Sequence, residues 1–224
     1  LNGASVFGSN KKYINTWSLG LGWNIHKEKF MENVPFVNFM KIRGSIGNPG
    51  NTNFESAMSL TTFRYSFSSY NYFGMSTTLE QLGNSDLMWQ TTLDKNLGLD
   101  LTMFNNRWTL TMDVYQKDTN PLLLAIGLPS SSGVTSFYTN SGKQISKGFI
   151  GSTQFYIFRD FSRRFTWSVR ASLRLESSEL QNLGNSLESF NKYSQSRTLR
   201  RYYDGADPDD IWAVRSAGID PATG

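Results

Sequence analysis

The stretch TLDKNLGLDLTMFNNRWTLTMDVYQK (92–117) decides the fold. In its first half Leu93, Leu97, Leu99, Leu101 and Met103 alternate with Thr92, Asp94, Asn96, Asp100 and Thr102. In its second half Trp108, Leu110, Met112 and Val114 alternate with Thr109, Thr111, Asp113 and Tyr115. A two-residue period sends successive side chains to opposite faces of a strand, so each half has one apolar and one polar face. FNNR (104–107) between them carries two Asn, which favour turns. The stretch therefore predicts two antiparallel strands joined by a tight turn. Lys95 is the one charge on the apolar face, and it is expected near the outer rim, where its ammonium can snorkel to water.

The same alternation recurs on both sides. In 13–23, Tyr13, Trp17, Leu19, Leu21 and Trp23 oppose Thr16, Ser18, Gly20 and Gly22. In 39–47, Met40, Ile42 and Ile46 oppose Lys41, Arg43 and Ser45. In 165–175, Phe165, Trp167, Val169, Ala171, Leu173 and Leu175 oppose Thr166, Ser168, Arg170, Ser172 and Arg174. The stretch 147–158 fits less well: Phe149, Phe155 and Ile157 oppose Ser152 and Gln154, with Ile150 a misfit. A soluble sandwich also alternates. Three features favour a membrane barrel. The segments are about 9–12 residues long, the reach of a tilted membrane strand rather than of an average soluble one. Connections alternate between short (104–107, 159–164) and long (48–91, 118–146, beyond 175), as periplasmic turns and external loops do. Large aromatics gather at the short-turn ends: Trp23, Phe104, Trp108, Phe158, Phe161 and Phe165, as in an interfacial girdle. The fold class expected is all-β, part of an antiparallel transmembrane β-barrel with long external loops. The turns at Asn105-Asn106 and Ser162-Arg163 then face the periplasm. The segment 60–73 would break strand parity as a lone crossing, so it is placed in an external loop or in an extension of the sheet above the membrane.

Composition excludes several functions. With no Cys there are no disulfides, thiolate sites or cysteine nucleophiles. A single His, His26, cannot build a multi-histidine zinc site, and its polar surroundings (Asn24–Lys29) suggest a solvated turn. The charge of +4 lacks a Lys/Arg cluster suited to nucleic acid; Arg163-Arg164 and Arg200-Arg201 are isolated pairs. No apolar run reaches the length of a membrane helix, PLLLAIGL (121–128) being the longest candidate. A mean hydropathy of −0.40 does not argue against a barrel, whose strands are only half apolar. The chain opens at Leu1 without an initiator Met or signal peptide and reads as an excerpt of a longer protein.

The predicted loops hold most of the candidate binding residues. Tyr65, Tyr70, Tyr72 and Phe73, then Phe137 and Tyr138, then Tyr202, Tyr203 and Trp212 place aromatics outside the strands. Aromatic faces stack on sugar rings and cover partner proteins; a small loop core is the alternative. DGADPDD (204–210) has the composition of a calcium loop but not the ligand spacing or terminal Glu of an EF-hand, so a solvated acidic turn is expected and no metal site. SGKQISKG (141–148) lacks the spacing of a phosphate loop.

Several phrases resemble the SusC/RagA family of TonB-linked outer-membrane proteins. WSLGLGWNIHKEKFMEN (17–33) is similar to the family's strand ending in Gly-Trp with a polar turn after it. KIRGSIGNPGN (41–51) resembles its Arg-Ala-Ser-Tyr-Gly strand exit, and LGNSDLMWQTTLDKNLGLDLTMFNNRWTLTMDVYQKDTNPLLL (82–124) its most recognisable stretch. SGKQISKGFIGSTQF (141–155) and GIDPATG (218–224) match two further phrases. Order and spacing agree across nearly the whole chain. Ser85, Gln90, Ser146 and Gly151 stand where the family usually has Pro, Glu, Asn and Glu, which marks a divergent member.

The resemblance implies a piece, residues 1–224, of a barrel of about 22 strands, with signal peptide, plug and final strand absent. It implies a Gram-negative outer-membrane importer of glycans, oligosaccharides or oligopeptides, not an enzyme, working without cofactor. Its partners would be outer-membrane lipid, a SusD-like surface lipoprotein and the TonB-ExbB-ExbD complex. Arg43, Asp94, Asp100, Asp113, Arg170 and Arg174 on the polar face would then line the lumen, paired with one another or with the plug. Tyr70, Tyr72, Phe73, Tyr138, Tyr202, Tyr203 and Trp212 would be the substrate-contact candidates. Asn84, Trp89 and Gly98 recur in the family phrase, and loop and strand geometry suffices to explain them. The alternatives are a TonB-dependent siderophore or cobalamin receptor and, from another class, a soluble secreted carbohydrate-binding β-sandwich.

Overall fold

A computed structural model of the chain describes residues 2–3, 13–50, 58–67, 72, 74–128, 130–134, 136–160, 165–184, 186–193, 200–213 and 218. Six strands build one antiparallel sheet: β1 (Trp17–Trp23), β2 (Val37–Asn48), β3 (Thr92–Met103), β4 (Trp108–Thr119), β5 (Lys143–Asp160) and β6 (Phe165–Gln181). Each pairs with the next in sequence, so the sheet is an up-and-down meander with β1 and β6 at its edges.

The β3–β4 hairpin closes as its sequence suggests, with Met103 opposite Trp108. Phe104, Asn105 and Asn106 take φ of 55°, 56° and 63°, the left-handed region that suits a right-twisted hairpin. Asn enters that region readily; a Phe there is an outlier that its surroundings must hold. Phe104 donates its N–H to Phe36 O at 2.8 Å, and its ring stacks near Phe36 and Trp108, with centroids 6.0 and 6.3 Å away.

Boundaries moved where alternation was a poor guide. The predicted strand 13–23 is two elements: Tyr13–Ile14 pairs with Asn2–Gly3, and β1 begins only at Trp17. The 147–158 and 165–175 strands extend to 18 and 17 residues. Above Phe149 and Leu175 each face is mostly polar, with only Ile145 and Leu180 apolar, so the hydrophobic period is lost although backbone pairing continues from Gly148↔Glu176 to Lys143↔Gln181. Ile150 proves to lie on the polar face, opposite Asp113 and Arg174. A bulge between Tyr156 and Phe158 shifts the period by one, bringing Phe158, not Ile157, opposite Trp167. Their rings stack at 6.1 Å. The Ser162-Arg163 turn and Phe161 lie outside the described residues.

Of the segment 60–73, the described strand Thr62–Phe67 keeps out of the main sheet. Thr62–Phe67 pairs with Met75–Gln81 as a separate hairpin, tied by the Arg64–Glu80 ion pair. A second hairpin, Leu123–Gly127 with Ser136–Asn140, contains the apolar run 121–128. Two loop clusters hold most of the buried apolar side chains: Met58, Leu87 and Trp89, and Leu122, Leu180, Leu183 and Leu187. By contrast the apolar face of the sheet is open, with Leu97 59% and Leu173 53% exposed, and no second sheet covers it among the described residues.

That face has the dimensions of a bilayer core. From Phe165 to Leu175 the rise of about 3.4 Å per residue gives about 34 Å along the strand, or roughly 26 Å of height at a tilt near 40°. The apolar band of outer-membrane barrels is about 25 Å tall. The lower aromatics also step across the rows. Trp23 shares a pairing row with Ile42, Leu99, Met112, Gly151 and Leu173, whereas Trp167 lies below Leu173, beyond Ala171 and Val169. A level girdle on tilted strands must be staggered in this way.

Candidate functional site

The polar face is an organised wall. One pairing row reads Gly22, Arg43, Gly98, Asp113, Ile150 and Arg174 from β1 to β6. Gly98 is the hinge of this row. The guanidinium of Arg43 lies directly over it, donating from Nη2 to Asp113 Oδ2 at 2.7 Å and from Nε to Asp100 Oδ2 at 3.1 Å. A Cβ at Gly98 would fall 2.6 Å from Arg43 Cζ and 2.8 Å from Asp113 Oδ1, so only glycine leaves the crossing open. The next row repeats the device. Tyr115 is buried because its ring lies on Gly148, where a Cβ would meet it at 2.3 Å. Lys117 sits 5.4 Å from the centre of the same ring.

The six polar-face residues singled out from sequence are thus brought together on one wall, with differing partners. Arg43, Asp100 and Asp113 form one ionic cluster. Arg174 donates to Glu176 Oε2 from Nε at 3.1 Å and from Nη2 at 2.5 Å. Arg170 donates to Gln154 Oε1 at 2.9 Å. Asp94 lies in the row of Gly47 and Lys117. A groove of about 580 Å³ runs along this wall between Arg43, Asp94, Tyr115, Lys117 and Arg174. Sequence reasoning passed over Tyr115, Lys117 and Glu176 as site residues. Their parity with Asp113 and Arg174 was the available signal.

The loop aromatics divide. Tyr138 packs against the Met58–Leu87–Trp89 cluster, and Tyr202 against the Leu122–Leu187 cluster. Tyr202 is held further by Asn191, which bonds its backbone N–H at 2.9 Å and its carbonyl at 2.7 Å. Tyr203 and Trp212 remain about half exposed and meet edge to face at 5.9 Å, and Tyr72 is almost fully exposed. Tyr70 and Phe73 lie outside the described residues.

Two turns are more structural than expected. In the acidic segment, Asp204 Oδ1 accepts the N–H of Leu183 at 2.7 Å and Asp207 Oδ2 that of Ser178 at 3.0 Å. Leu180 N also donates to Ala206 O and Gly205 N to Leu180 O. The segment therefore clasps the upper end of β6 rather than being a purely solvated turn. No metal-binding group of three ligands occurs among the described residues. His26 is not in open solvent either. It is half-buried, donates from Nδ1 to Met40 O at 3.1 Å and packs on Phe39 at 4.8 Å. Asn84 and Asn140 pin the loops, Asn84 donating to Tyr138 O and Asn140 bonding both N–H and C=O of Met88.

The comparisons with known proteins agree with this two-faced wall. The family described as "TonB dependent receptor-like, beta-barrel" matches residues 2–218. TonB-dependent receptor P39 of Formosa agariphila is 30% identical over 184 residues, covering 82% of this chain and 17% of its own length. TonB-dependent receptor SusC of Bacteroides thetaiotaomicron is 27% identical over 198 residues, covering 81% of this chain and 18% of its own length. The solved RagAB peptide transporter superposes with a TM-score of 0.83 at 26% identity, over 99% of this chain and 24% of that one. The chain thus spans about a sixth of the length of the curated relatives it matches. A sheet with one bilayer-sized apolar face and one ionic face, matched over nearly its whole length, belongs to the outer-membrane β-barrel of the TonB-dependent receptor family.

Proposed function

We propose that this chain is barrel wall from a SusC/RagA-type importer, which takes up oligosaccharides or oligopeptides with energy from TonB. The observation that carries the reading is the joint likeness to SusC and to the RagAB peptide transporter over most of the chain. In this reading the polar face, with its Arg43 cluster and the groove beside Tyr115 and Lys117, lines the lumen. The charges paired along the wall, Arg43 with Asp100 and Asp113 and Arg174 with Glu176, present a wet surface past which a large solute can move. The short Phe104–Arg107 turn faces the periplasm and the hairpins and loop clusters face outward.

On the outer side, Tyr203 and Trp212 offer exposed ring faces beside the hydrogen-bonded 204–207 clasp. Such rings stack on sugars or on apolar peptide side chains. Tyr72 is the remaining described candidate, while Tyr138 and Tyr202 support the platform from beneath. A SusD-like lipoprotein would cap this side, and the TonB complex would act from the periplasmic side on a plug.

The test is growth of a strain lacking the full-length gene, supplied with oligosaccharide or oligopeptide mixtures as sole nutrient. Loss of growth on one of them, with growth on the corresponding monomers intact, is expected. Unchanged growth on both, with loss of ferric-chelate or cobalamin uptake, would overturn the reading in favour of a siderophore or cobalamin receptor.

A further inference from the structure

The apolar face changes character toward its upper end. On four adjacent strands the apolar run gives way after Leu97, Val114, Phe149 and Leu175 to Lys95, Gln116, Lys147 and Ser177 at the next same-face positions, with Leu93 and Ile145 the apolar exceptions beyond Lys95 and Lys147. The first eight of these residues, with Ile46 of β2, line a shallow groove of about 730 Å³. Its floor continues downward into the lipid-facing band. On β2 the apolar face below Ile46 passes through Gly44, beside Leu97, where no side chain stands and an added Cβ would meet nothing nearer than Asn96 O at 3.9 Å. The groove and the gap at Gly44 beneath it thus form a slot that is apolar below and cationic above.

The charges at the top are not balanced locally. Lys95 donates to Asp118 Oδ2 at 3.2 Å, and Gln116 donates to both oxygens of the same carboxylate. Glu179 takes a hydrogen bond from Gln181. Lys147 is exposed and makes no ion pair among the described residues. Lys143, four residues further up the same face and beyond Ile145, adds another cation. Three lysines against Asp118 and Glu179 leave the rim positive.

We propose that this slot binds a phosphate-bearing acylated lipid of the outer leaflet, with one acyl chain over Gly44 and its phosphate at Lys147 and Lys95. A soluble anion would gain nothing from the apolar slot, and a protein partner could not follow its floor into the bilayer core. A lipid fits both parts, because its anionic group and its chains meet at the depth where these side chains change character. Gln116 and Lys95 both engage the Asp118 carboxylate, while Lys147 makes no ion pair among the described residues. The proposal rests on the orientation given above, since only that orientation sets the lysines in the outer leaflet.

The full-length protein, reconstituted in phosphatidylcholine nanodiscs doped with diphosphoryl or with dephosphorylated lipid A, tests it by native mass spectrometry of retained lipid. Preferential retention of the phosphorylated form is expected. Lys147→Gln should lower that retention about fivefold, the worth of one lysine at a membrane surface, and Lys147→Arg should restore it. Gly44→Leu, which fills the slot, should lower retention of the same lipid, whereas Lys117→Gln on the opposite face should not. Equal retention of the two lipids, no effect of Lys147→Gln, or displacement by inorganic phosphate would overturn the proposal. Heat-modifiable gel mobility of each variant reports assembly. Thiol labelling of Asn106→Cys on intact cells reports orientation, so a failed lipid site is distinguished from an inverted barrel.

Discussion

Replacing Gly98 by Ala should destabilise the barrel through Arg43 rather than through the backbone. Gly98 lies mid-strand, where Ala is tolerated, but the new Cβ would stand 2.6 Å from Arg43 Cζ. The guanidinium must lift away, loosening its bonds to Asp113 at 2.7 Å and Asp100 at 3.1 Å. Two such charged bonds would be worth about 3 kcal/mol or more if fully buried. The three side chains are between 18% and 36% exposed, and screening reduces the joint loss to roughly 1–2 kcal/mol. The assay is a double-mutant cycle, with urea unfolding of the full-length protein in detergent as the readout. Gly98→Ala should cost roughly 1–2 kcal/mol in the wild-type background and little after Arg43→Ala, giving a coupling of similar size. Additive costs, within about 0.5 kcal/mol, would refute the crossing of Arg43 over Gly98 as the reason for glycine.

Three other outcomes follow from the same geometry. Leu99→Arg and Val169→Arg on the apolar face should each cost about 2–4 kcal/mol and reduce the heat-modifiable form, whereas Thr111→Arg on the polar face should assemble normally. Cysteine at Asn106 should resist an impermeant thiol reagent on intact cells and react after permeabilisation. Asp207→Ala should leave Ser178 N–H without its acceptor, costing about 1–3 kcal/mol locally and speeding proteolysis within 200–213, with the sheet intact.

Much of the sheet was legible because a lipid-backed strand writes its faces into a two-residue period. Leu93 to Met103 gave β3 to the residue, since each odd position but Lys95 is apolar. Lys95 itself fitted the rim, and the structure supplied Asp118 as its partner, a pairing across strands that no local pattern reveals. The period fell silent above the apolar band, where one face is polar and the other is covered by loops. Lys143–Gly148 and Glu176–Gln181 pair by backbone and by contacts such as Ser146 Oγ with Ser178 Oγ at 2.8 Å, and neither involves hydrophobic alternation. It misled at Ile157, because a bulge shifts the count by one. On the polar face the residue types were readable but the pairings were not, since Arg43 meets Asp113 seventy positions away. In the loops, exposed Trp212 and half-buried Tyr202 look alike in sequence. Only the packing of Leu180, Leu183 and Leu187 separates them.

The central claim is that one face of this sheet meets lipid and the other meets water, and accessibility along β3 tests it most directly. Spin labels at single cysteines replacing Asn96, Leu97, Leu99, Asp100, Leu101 and Thr102 of the full-length protein in bilayers can be probed with oxygen and with a water-soluble nickel chelate. Positions 97, 99 and 101 should favour oxygen and positions 96, 100 and 102 should not, in strict alternation. Equal access of the nickel chelate to both sets, or a loss of alternation along the strand, would contradict a membrane-spanning wall.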